Sequence, residues 1–315
     1  MKILLTGATG FVGQYMLQKL IILQHCAIAV TRDVKKIKQQ VETLYIENMD
    51  SKTNWENKLT NCEVVIHCAA RVHMMNDSSK DPLEDFRETN TFGTLNLARS
   101  AAMAGVKRFI FLSSIKVSGE QTTFGENFKS SDIVNPIDPY AISKWEAEQG
   151  LQQISRETNM EIVIIRPPLV YGPGVKGNFK SMLKLSSLGI PLPFGALKHN
   201  LRSIVSVHNL IDLLVICLTH PNAKNKTFLV SDGKDISTAQ MFQLLKISFE
   251  KPPLMLPIPI FIFQMMGFLF NKSEMIKRLT GNLQIDISET KTLLNWQPAV
   301  TTKDAFAETA KEYLQ

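Results

Sequence analysis

Short apolar segments alternate with longer mixed segments through the first half of the chain. Each apolar segment has the length of a buried strand, and most of the intervals between them are long enough to hold a helix. This alternation predicts an α/β fold in which a parallel, doubly wound sheet carries helices on both faces. The predicted strands are residues 2–6, 26–31, 43–46, 63–69, 107–113 and 161–166.

The pattern loosens after Arg166, where glycine and proline interrupt short segments as far as Gly195. Such interruptions are typical of loops that shape a pocket. We therefore expect a sheet-based domain over residues 1–170. A smaller C-terminal substrate-binding lobe is expected over residues 171–315, interleaved with the first domain.

The longest stretch without a charged residue includes residues 254–270. It falls short of about 20 uninterrupted apolar residues, and Pro257, Pro259 and Gln264 break it, so we expect no transmembrane span. Its large apolar side chains are costly to leave in water. We expect a helix from about Phe261, with one face on the smaller lobe and the other over a pocket, a second subunit or a membrane surface.

Composition narrows the class of protein. The 315 residues are 44% hydrophobic and 20% charged, which is a globular composition. The 35 basic residues exceed the 29 acidic ones but are scattered, which argues against nucleic acid as the main partner and suits an anionic small substrate. The four cysteines show no CxxC spacing and are expected to be reduced. Because the first apolar run leads directly into a glycine-rich segment, we interpret it as a core strand and expect a cytoplasmic protein.

Three glycines follow the first predicted strand. Gly7 permits a tight turn, Gly10 allows the backbone to approach a pyrophosphate, and Gly13 lets the next helix pack closely on the strand. Phosphates would then meet the N-terminus of that helix. A dinucleotide is the expected ligand.

A second group of residues points to proton transfer. Tyr140 and Lys144 are four residues apart on a predicted helix, so their side chains lie on one face. Tyrosine is a poor base at neutral pH, but a neighbouring ammonium group lowers the pKa of the tyrosine hydroxyl and so favours the phenolate. Ser114, at the end of a predicted strand, offers a hydroxyl that can hold the reacting oxygen. We expect these three side chains to form a catalytic site.

Six segments together resemble the extended short-chain dehydrogenase/reductase family, in its nucleotide-sugar epimerase, dehydratase and reductase branch. The resemblance extends over nearly the whole chain. The segments are TGATGFVG at 6–13, VVIHCAA at 64–70, FLSSIKVSGE at 111–120, PYAISKWEAE at 139–148, IIRPPLVYGPG at 164–174 and ISETKTLLNWQP at 287–298.

This resemblance implies a Rossmann fold, a UDP-sugar substrate, a homodimer and a role for each matching residue. Ser114 would orient the sugar oxygen, Tyr140 would be the acid/base, and Lys144 would hold the nicotinamide ribose. Asn178 and Arg202 would bind the nucleotide diphosphate, and we expect Lys116 to face the sugar or its diphosphate. The implied cofactor contacts are Gly7, Gly10, Phe11, Val12, Gly13, Asn48, Met49, Ala69, Ala70, Tyr140, Lys144, Pro167 and Tyr171.

Two details bear on the reaction. Dehydratases of this branch place an Asp-Glu pair after the catalytic hydroxyl, where this chain has Ile115 and Lys116, so dehydration is not expected. The second predicted strand ends in Thr31 and Arg32, where an NAD enzyme usually offers a carboxylate to the ribose. We count both residues among the cofactor contacts and expect NADP, with Asp33 as the reason to keep NAD as an alternative.

An NADP-dependent enzyme of this branch is expected to be a reductase. The segments SSIKVSGE, YAISKWEAEQ, RPPLVYGPGVKGNF and FLVSDGKDIST also resemble bacterial surface-polysaccharide reductases. The expected reaction is reduction of UDP-2-acetamido-2,6-dideoxy-4-hexulose to UDP-N-acetyl-quinovosamine. One alternative is a UDP-glucose or UDP-N-acetylglucosamine 4-epimerase with bound NAD. Another is a non-catalytic dinucleotide-sensing module, although such proteins characteristically lack the Tyr or the Lys.

Overall fold

A seven-stranded parallel sheet forms the centre of the molecule. The computed structural model describes residues 1–72 and 81–315. The strands are β1 Lys2–Thr6, β2 Cys26–Thr31, β3 Glu42–Tyr45, β4 Val64–His67, β5 Arg108–Leu112, β6 Glu161–Arg166, β7 Leu169–Tyr171, β8 Leu201–Arg202, β9 Ile204–Ser206, β10 Lys226–Leu229 and β11 Ile236–Ser237. In the central sheet their order is β3-β2-β1-β4-β5-β6-β10, so the strand order reverses beside β1.

Eleven α-helices are present in the described residues. They are α1 Phe11–Ile22, α2 Pro82–Phe86, α3 Thr94–Met103, α4 Pro139–Glu157, α5 Gly177–Ser187, α6 Val207–Cys217, α7 Thr238–Ser248, α8 Ile260–Leu269, α9 Ser273–Thr280, α10 Ser288–Leu294 and α11 Thr302–Tyr313. A π-helical turn, Arg87–Gly93, leads into α3. Within the described residues, none of these helices is long and apolar enough to cross a membrane.

Alternate strand residues point to opposite faces of the sheet, and helices cover both faces. Ile3 and Leu5 of β1 join a core with residues of α1 and α6. Leu4, between them, joins a second core with residues of α3 and α4. The predicted doubly wound α/β sheet is therefore confirmed, and all six predicted strands are present with bounds that differ by two residues or fewer.

The seventh strand, β10, was not predicted from the sequence. It is only four residues long, it pairs with β6, and it comes from the second half of the chain. The C-terminal half thus contributes to the central sheet as well as to a separate group of elements beyond it. That group contains two small sheets, β7 with β9 and β8 with β11, and its own apolar clusters around Phe179 and Phe242.

Candidate active site

The carboxyl ends of the central strands bring the predicted site residues to one edge of the sheet. Gly7 follows β1, Thr31 ends β2, Ala69 follows β4, Ser114 follows β5 and Pro167 follows β6. In open parallel sheets this edge, where the strand order reverses, is the usual binding crevice.

The glycine turn after β1 leaves no room for side chains. Gly7 has φ of +68°, and a Cβ there would lie 2.6 Å from the backbone nitrogen of Ala69. A Cβ on Gly13 would lie 2.0 Å from the carbonyl oxygen of Gly7. The turn itself is closed by a hydrogen bond of 2.8 Å from the Gly10 N–H to the Gly7 carbonyl. Only glycine allows β1 and α1 to approach this closely.

The N-terminus of α1 faces this turn and can bind phosphate. Gly10 precedes the helix and supplies no side-chain cap, so the first N–H groups of the helix, at Phe11 and Val12, have no side-chain acceptor there. Such N–H groups and the positive end of the helix dipole attract a pyrophosphate. The close backbone packing and the open helix end together fit a bound dinucleotide.

The end of β2 carries basic side chains and no free carboxylate. Thr31 is buried and its hydroxyl bonds the backbone of Asp33, while Arg32 is exposed. The Asp33 carboxylate accepts a hydrogen bond from the backbone of Lys35 and lies 3.6 Å from the ammonium of Lys36. Asp33 is thus engaged within its own turn.

The loop after β4 is fixed by Asn90, in the π-helical turn. Its side chain accepts a hydrogen bond from the Arg71 N–H at 2.8 Å and donates one to the Arg71 carbonyl at 3.0 Å. It also contacts the hydroxyl of Ser143, on α4. Asn90 therefore ties the segment after Ala69 and Ala70 to α4, the helix that carries Tyr140 and Lys144. Asn90 was not predicted from the sequence, because a single Asn in a polar segment is a weak signal. Its position in a π-helical turn is a stronger one, since such turns recur at functional sites.

The predicted cofactor contacts Asn48 and Met49 follow the end of β3. Met49 is buried, and its carbonyl group lies against Gly93, where a Cβ would come within 2.7 Å of the Met49 oxygen. Asn48 is exposed, and its carbonyl accepts a hydrogen bond of 2.8 Å from the Thr53 hydroxyl.

Tyr140 and Lys144 lie in the first turns of α4 and share one face. Asp138 caps this helix by accepting a hydrogen bond from the Ala141 N–H, and Pro139 occupies its first position. Ser114 starts a short 3-10 turn at the end of β5 and is hydrogen-bonded to Tyr140. The three predicted catalytic residues are therefore together.

Burial dominates the electrostatics of this cluster. Burial and the charge of Asp138 raise the pKa of Tyr140 to about 12, opposed by the hydrogen bond with Ser114. Burial lowers the pKa of Lys144 to about 7, opposed by Glu148 and Cys68. This differs from the expectation of a tyrosine pKa lowered by a neighbouring ammonium. The physical reason is that burial of the Tyr140 hydroxyl disfavours the phenolate, while Lys144, with its own pKa lowered to about 7, is only about half protonated at neutral pH.

A buried ion pair lies next to the predicted catalytic residues. Glu148, one turn after Lys144, accepts hydrogen bonds from the Arg166 guanidinium and from the Ser113 hydroxyl. Both charged side chains are almost completely buried. The pair joins α4 to the ends of β5 and β6, next to Ser114 and Pro167. Pro167 itself is buried, and its carbonyl accepts a hydrogen bond of 3.0 Å from Ile115.

Arg202 and Asn178 are on the smaller lobe. The guanidinium of Arg202 donates hydrogen bonds to the carbonyls of Arg278 (2.9 Å) and Gly281 (3.1 Å). Burial and the charge of Arg278 lower its pKa to about 10. Among the described residues no carboxylate lies within ion-pair distance of it. Asn178 is exposed in the first turn of α5, another helix that starts without a side-chain cap.

Two predicted contacts have other partners. The Lys116 ammonium is ion-paired with Asp138 and lies 3.9 Å from Glu120, so its charge is matched inside the protein instead of facing a substrate freely. Tyr171 is fully buried between aromatic rings, and its hydroxyl donates to Asp232 at 2.6 Å. Its side chain is part of the core of the smaller lobe and has no surface to offer a cofactor.

The fold and the site define a dinucleotide-binding enzyme with a Ser-Tyr-Lys centre, of the extended short-chain dehydrogenase/reductase type. The chain belongs to the NAD dependent epimerase/dehydratase family, whose model matches residues 3–231. It is 49% identical to a UDP-glucose 4-epimerase of Vibrio cholerae over 316 aligned residues, covering 100% of this chain and 96% of the relative. It is also 27% identical to an N-acetyl-alpha-D-glucosaminyl-diphospho-ditrans,octacis-undecaprenol 4-epimerase of Escherichia coli O157:H7, covering 89% of this chain and 81% of the relative.

Solved structures share the fold. The UDP-glucose 4-epimerase of Thermotoga maritima, with UDP-glucose, superposes with a TM-score of 0.79 at 24% identity, covering 100% of this chain and 99% of that one. A UDP-N-acetylglucosamine 4-epimerase of Bacillus cereus superposes with a TM-score of 0.81 at 19% identity, covering all of both chains.

Proposed function

We propose that this protein is a UDP-sugar 4-epimerase that retains NAD. The observation that carries the proposal is the 49% identity to a UDP-glucose 4-epimerase over the full length of the chain, catalytic segments included. This identity supports the 4-epimerase, which was an alternative from the sequence, better than the expected 4-keto reductase. UDP-glucose and UDP-N-acetylglucosamine are the first substrates to test.

The chain's own residues suit the binding of both ligands. The turn at Gly7, Gly10 and Gly13 and the start of α1 would hold the pyrophosphate of NAD, and Lys144 would hold its ribose. On the other lobe, Arg202 combines a partly buried positive charge with a second arginine nearby, Arg278. Within residues 1–72 and 81–315 neither guanidinium has a carboxylate at ion-pair distance, which favours an anion between them, and a diphosphate accepts paired hydrogen bonds from such groups.

Tyr140 and Ser114 would then handle the proton of the reacting hydroxyl. When bound, NAD supplies a hydride acceptor and donor for carbon 4. In its phenolate form, which the positive charge of a protonated Lys144 favours, the Tyr140 oxygen would take the hydroxyl proton as the sugar is oxidised and return it as the sugar is reduced, while the Ser114 hydroxyl would hold the same oxygen. Inversion requires the sugar to present both faces of carbon 4 in turn. Holding the diphosphate through Arg202, at a distance from the sugar ring, is compatible with that rotation.

The test uses freshly purified protein without added cofactor. An epimerase converts UDP-glucose to UDP-galactose, or UDP-N-acetylglucosamine to UDP-N-acetylgalactosamine. Mass spectrometry of the supernatant after denaturation should then detect NAD released from the protein. Tyr140→Phe is expected to lower kcat by at least about a hundredfold while retaining NAD, because it removes the acid/base group. Tyr313→Phe, a tyrosine of α11 packed on Phe249, is the matched control and is expected to be active. Protein that is empty and inactive with these sugars contradicts the proposal.

One observation favours a second candidate, the NADPH-dependent reduction of a 4-keto UDP-sugar. The exposed Arg32 lies where an NADP enzyme binds the 2′-phosphate, and Asp33 is engaged by Lys35 and Lys36. Arg32→Ala distinguishes the two. If Arg32 binds a 2′-phosphate, the variant loses about 10- to 150-fold in NADPH affinity and little in NADH affinity. Equal effects on both cofactors remove this candidate.

A further inference from the structure

Helix α8 has two different faces. Its inner face packs into the smaller lobe: the Phe263 ring stacks on Phe194 with centroids 5.9 Å apart, and a Cβ on Gly267 would lie 2.7 Å from Ile276 of α9. Its outer face carries Phe261, Met265, Phe268 and Leu269, which recur at helical spacing. All four are exposed, and Phe268 is 80% exposed.

The exposed apolar surface continues on both sides of the helix. Leu254 and Leu256 precede it, on a segment held against residues 192–195 by backbone hydrogen bonds. Phe270 and Met275 follow it and are also exposed. We call this surface the α8 patch, and its residues are Leu254, Leu256, Ile260, Phe261, Met265, Met266, Phe268, Leu269, Phe270 and Met275. Ten large apolar side chains grouped along 22 residues mark an interaction surface, because exposed apolar residues elsewhere on soluble proteins are mostly scattered.

Basic residues border the patch. There is no charged residue from 252 to 271, and the first charges on either side are Lys251 and Lys272. Lys277 and Arg278 follow on α9, while the two acidic residues of this border are Glu250, next to Lys251, and Glu274, 3.7 Å from Lys277. All of these side chains are exposed. An apolar face bordered by cations complements an anionic lipid surface, whose headgroups attract lysine and arginine while its acyl region accepts phenylalanine, leucine and methionine.

We infer that the α8 patch docks the protein on an anionic membrane surface, with α8 lying in the plane of the headgroups. Ten helical residues extend about 15 Å, half of the hydrocarbon thickness, so the helix can lie in the interface but cannot cross it. A second copy of the chain is a poorer occupant. In a two-fold contact through this patch, the basic border of one copy would face the same basic border of the other.

Co-sedimentation of the full-length protein with lipid vesicles tests this inference. Vesicles of phosphatidylcholine with about one third phosphatidylglycerol are compared with phosphatidylcholine alone at about 0.15 M salt. We expect binding to the anionic vesicles that is at least about tenfold stronger than to the neutral ones and that weakens as salt rises. Phe268→Asp and the pair Lys251→Glu, Lys272→Glu are each expected to lower anionic-vesicle binding at least about tenfold.

The controls separate docking from folding and from the reaction. Ile22→Asp replaces an exposed apolar residue at the end of α1, at the opposite edge of the sheet, and is expected to bind vesicles like the wild type. Turnover of soluble UDP-sugar, measured without vesicles, is expected to stay within about twofold in every variant, since none alters the site. Failure of the wild type to bind anionic vesicles overturns the inference. Vesicle binding by Phe268→Asp that equals that of the wild type also overturns it. So does a wild-type protein that forms a dimer and binds no vesicles, if Phe268→Asp dissociates that dimer.

Discussion

Removal of Glu148 tests the ion pair that joins the catalytic helix to the sheet. In Glu148→Ala, the Arg166 guanidinium keeps its charge inside the core, with a contact of 3.4 Å to the Ser118 hydroxyl as its remaining side-chain hydrogen bond. Arg166 is 3% exposed, so water cannot replace the lost carboxylate. Breaking a buried ion pair in this way costs about 3–5 kcal/mol of the free energy of unfolding.

This cost can be converted into a melting temperature. Proteins unfold with an entropy of about 2.1 cal/mol/K per residue near 60 °C, which is about 0.66 kcal/mol/K for the 315 residues of this chain. Glu148→Ala is therefore expected to lower Tm by about 5–8 °C in differential scanning calorimetry. Glu274→Ala is the control, because Glu274 pairs with Lys277 on the surface at 3.7 Å and its loss should move Tm by less than about 2 °C.

A double variant separates charge from packing. Glu148→Leu with Arg166→Met removes both charges and keeps much of the side-chain volume, so it should recover part of the loss seen in Glu148→Ala. If Glu148→Ala melts within about 2 °C of the wild type, the buried pair does not hold α4 in place and the reasoning is wrong.

Three further results are expected. Gly13→Ala should purify with far less nucleotide than Gly10→Ala, because its Cβ would lie 2.0 Å from the Gly7 carbonyl oxygen against 3.1 Å; equal nucleotide contents, measured by absorbance after denaturation, would contradict this. Arg202→Ala should raise KM for the UDP-sugar by about 10- to 150-fold with kcat within about threefold, and an unchanged KM would exclude the diphosphate contact. In nucleotide-free protein, Lys144→Met should have a higher Tm than the wild type at pH 7 and below, and this difference should shrink towards pH 10. The reason is that Lys144 has a pKa of about 7 in the folded state and 10.5 in the unfolded state, so burial of its charge destabilises the wild type most at low pH. A difference in Tm that does not change with pH would contradict the low pKa.

The parts of the fold that were predicted depend on local patterns. Most of the predicted strands are apolar runs that are buried on both faces, and such runs can be recognised without tertiary information. The edge strand β3 is the exception, because its Glu42 and Tyr45 are exposed. Tyr140 and Lys144 are four residues apart on a helix, so spacing alone puts them on one face. Gly13 is required by a close backbone contact inside one strand-turn-helix unit, with the Gly7 carbonyl oxygen. Spacing therefore predicted the glycine turn after β1 and the position of Tyr140 beside Lys144 on one face of α4.

The parts that were missed depend on partners far along the chain. Strand β10 is identified by pairing with β6, about 60 residues earlier. Asn90 acts through Arg71 and Ser143, which are 19 and 53 residues away. Tyr171 and Lys116 were assigned by family position, and their hydroxyl and ammonium instead have carboxylate partners, Asp232 and Asp138. No local sequence pattern predicts whether a polar side chain contacts a ligand or a carboxylate of the protein itself.

One face of helix α4 carries both a pair of residues predicted from local spacing and a residue whose role depends on a distant partner. Tyr140, Lys144 and Glu148 follow one another at four-residue intervals, so a single stripe of the helix runs from the reacting hydroxyl down to the buried ion pair. The first two members could be assigned from the sequence, but the third acquires its role only because β6 ends in Arg166. Glu148 also raises the pKa of Lys144 against the effect of burial, so it helps the ammonium persist near neutral pH. The residue that holds the helix in place therefore also affects the positive charge available to Tyr140, so the stability of the site and the proposed proton transfer would depend on the same carboxylate.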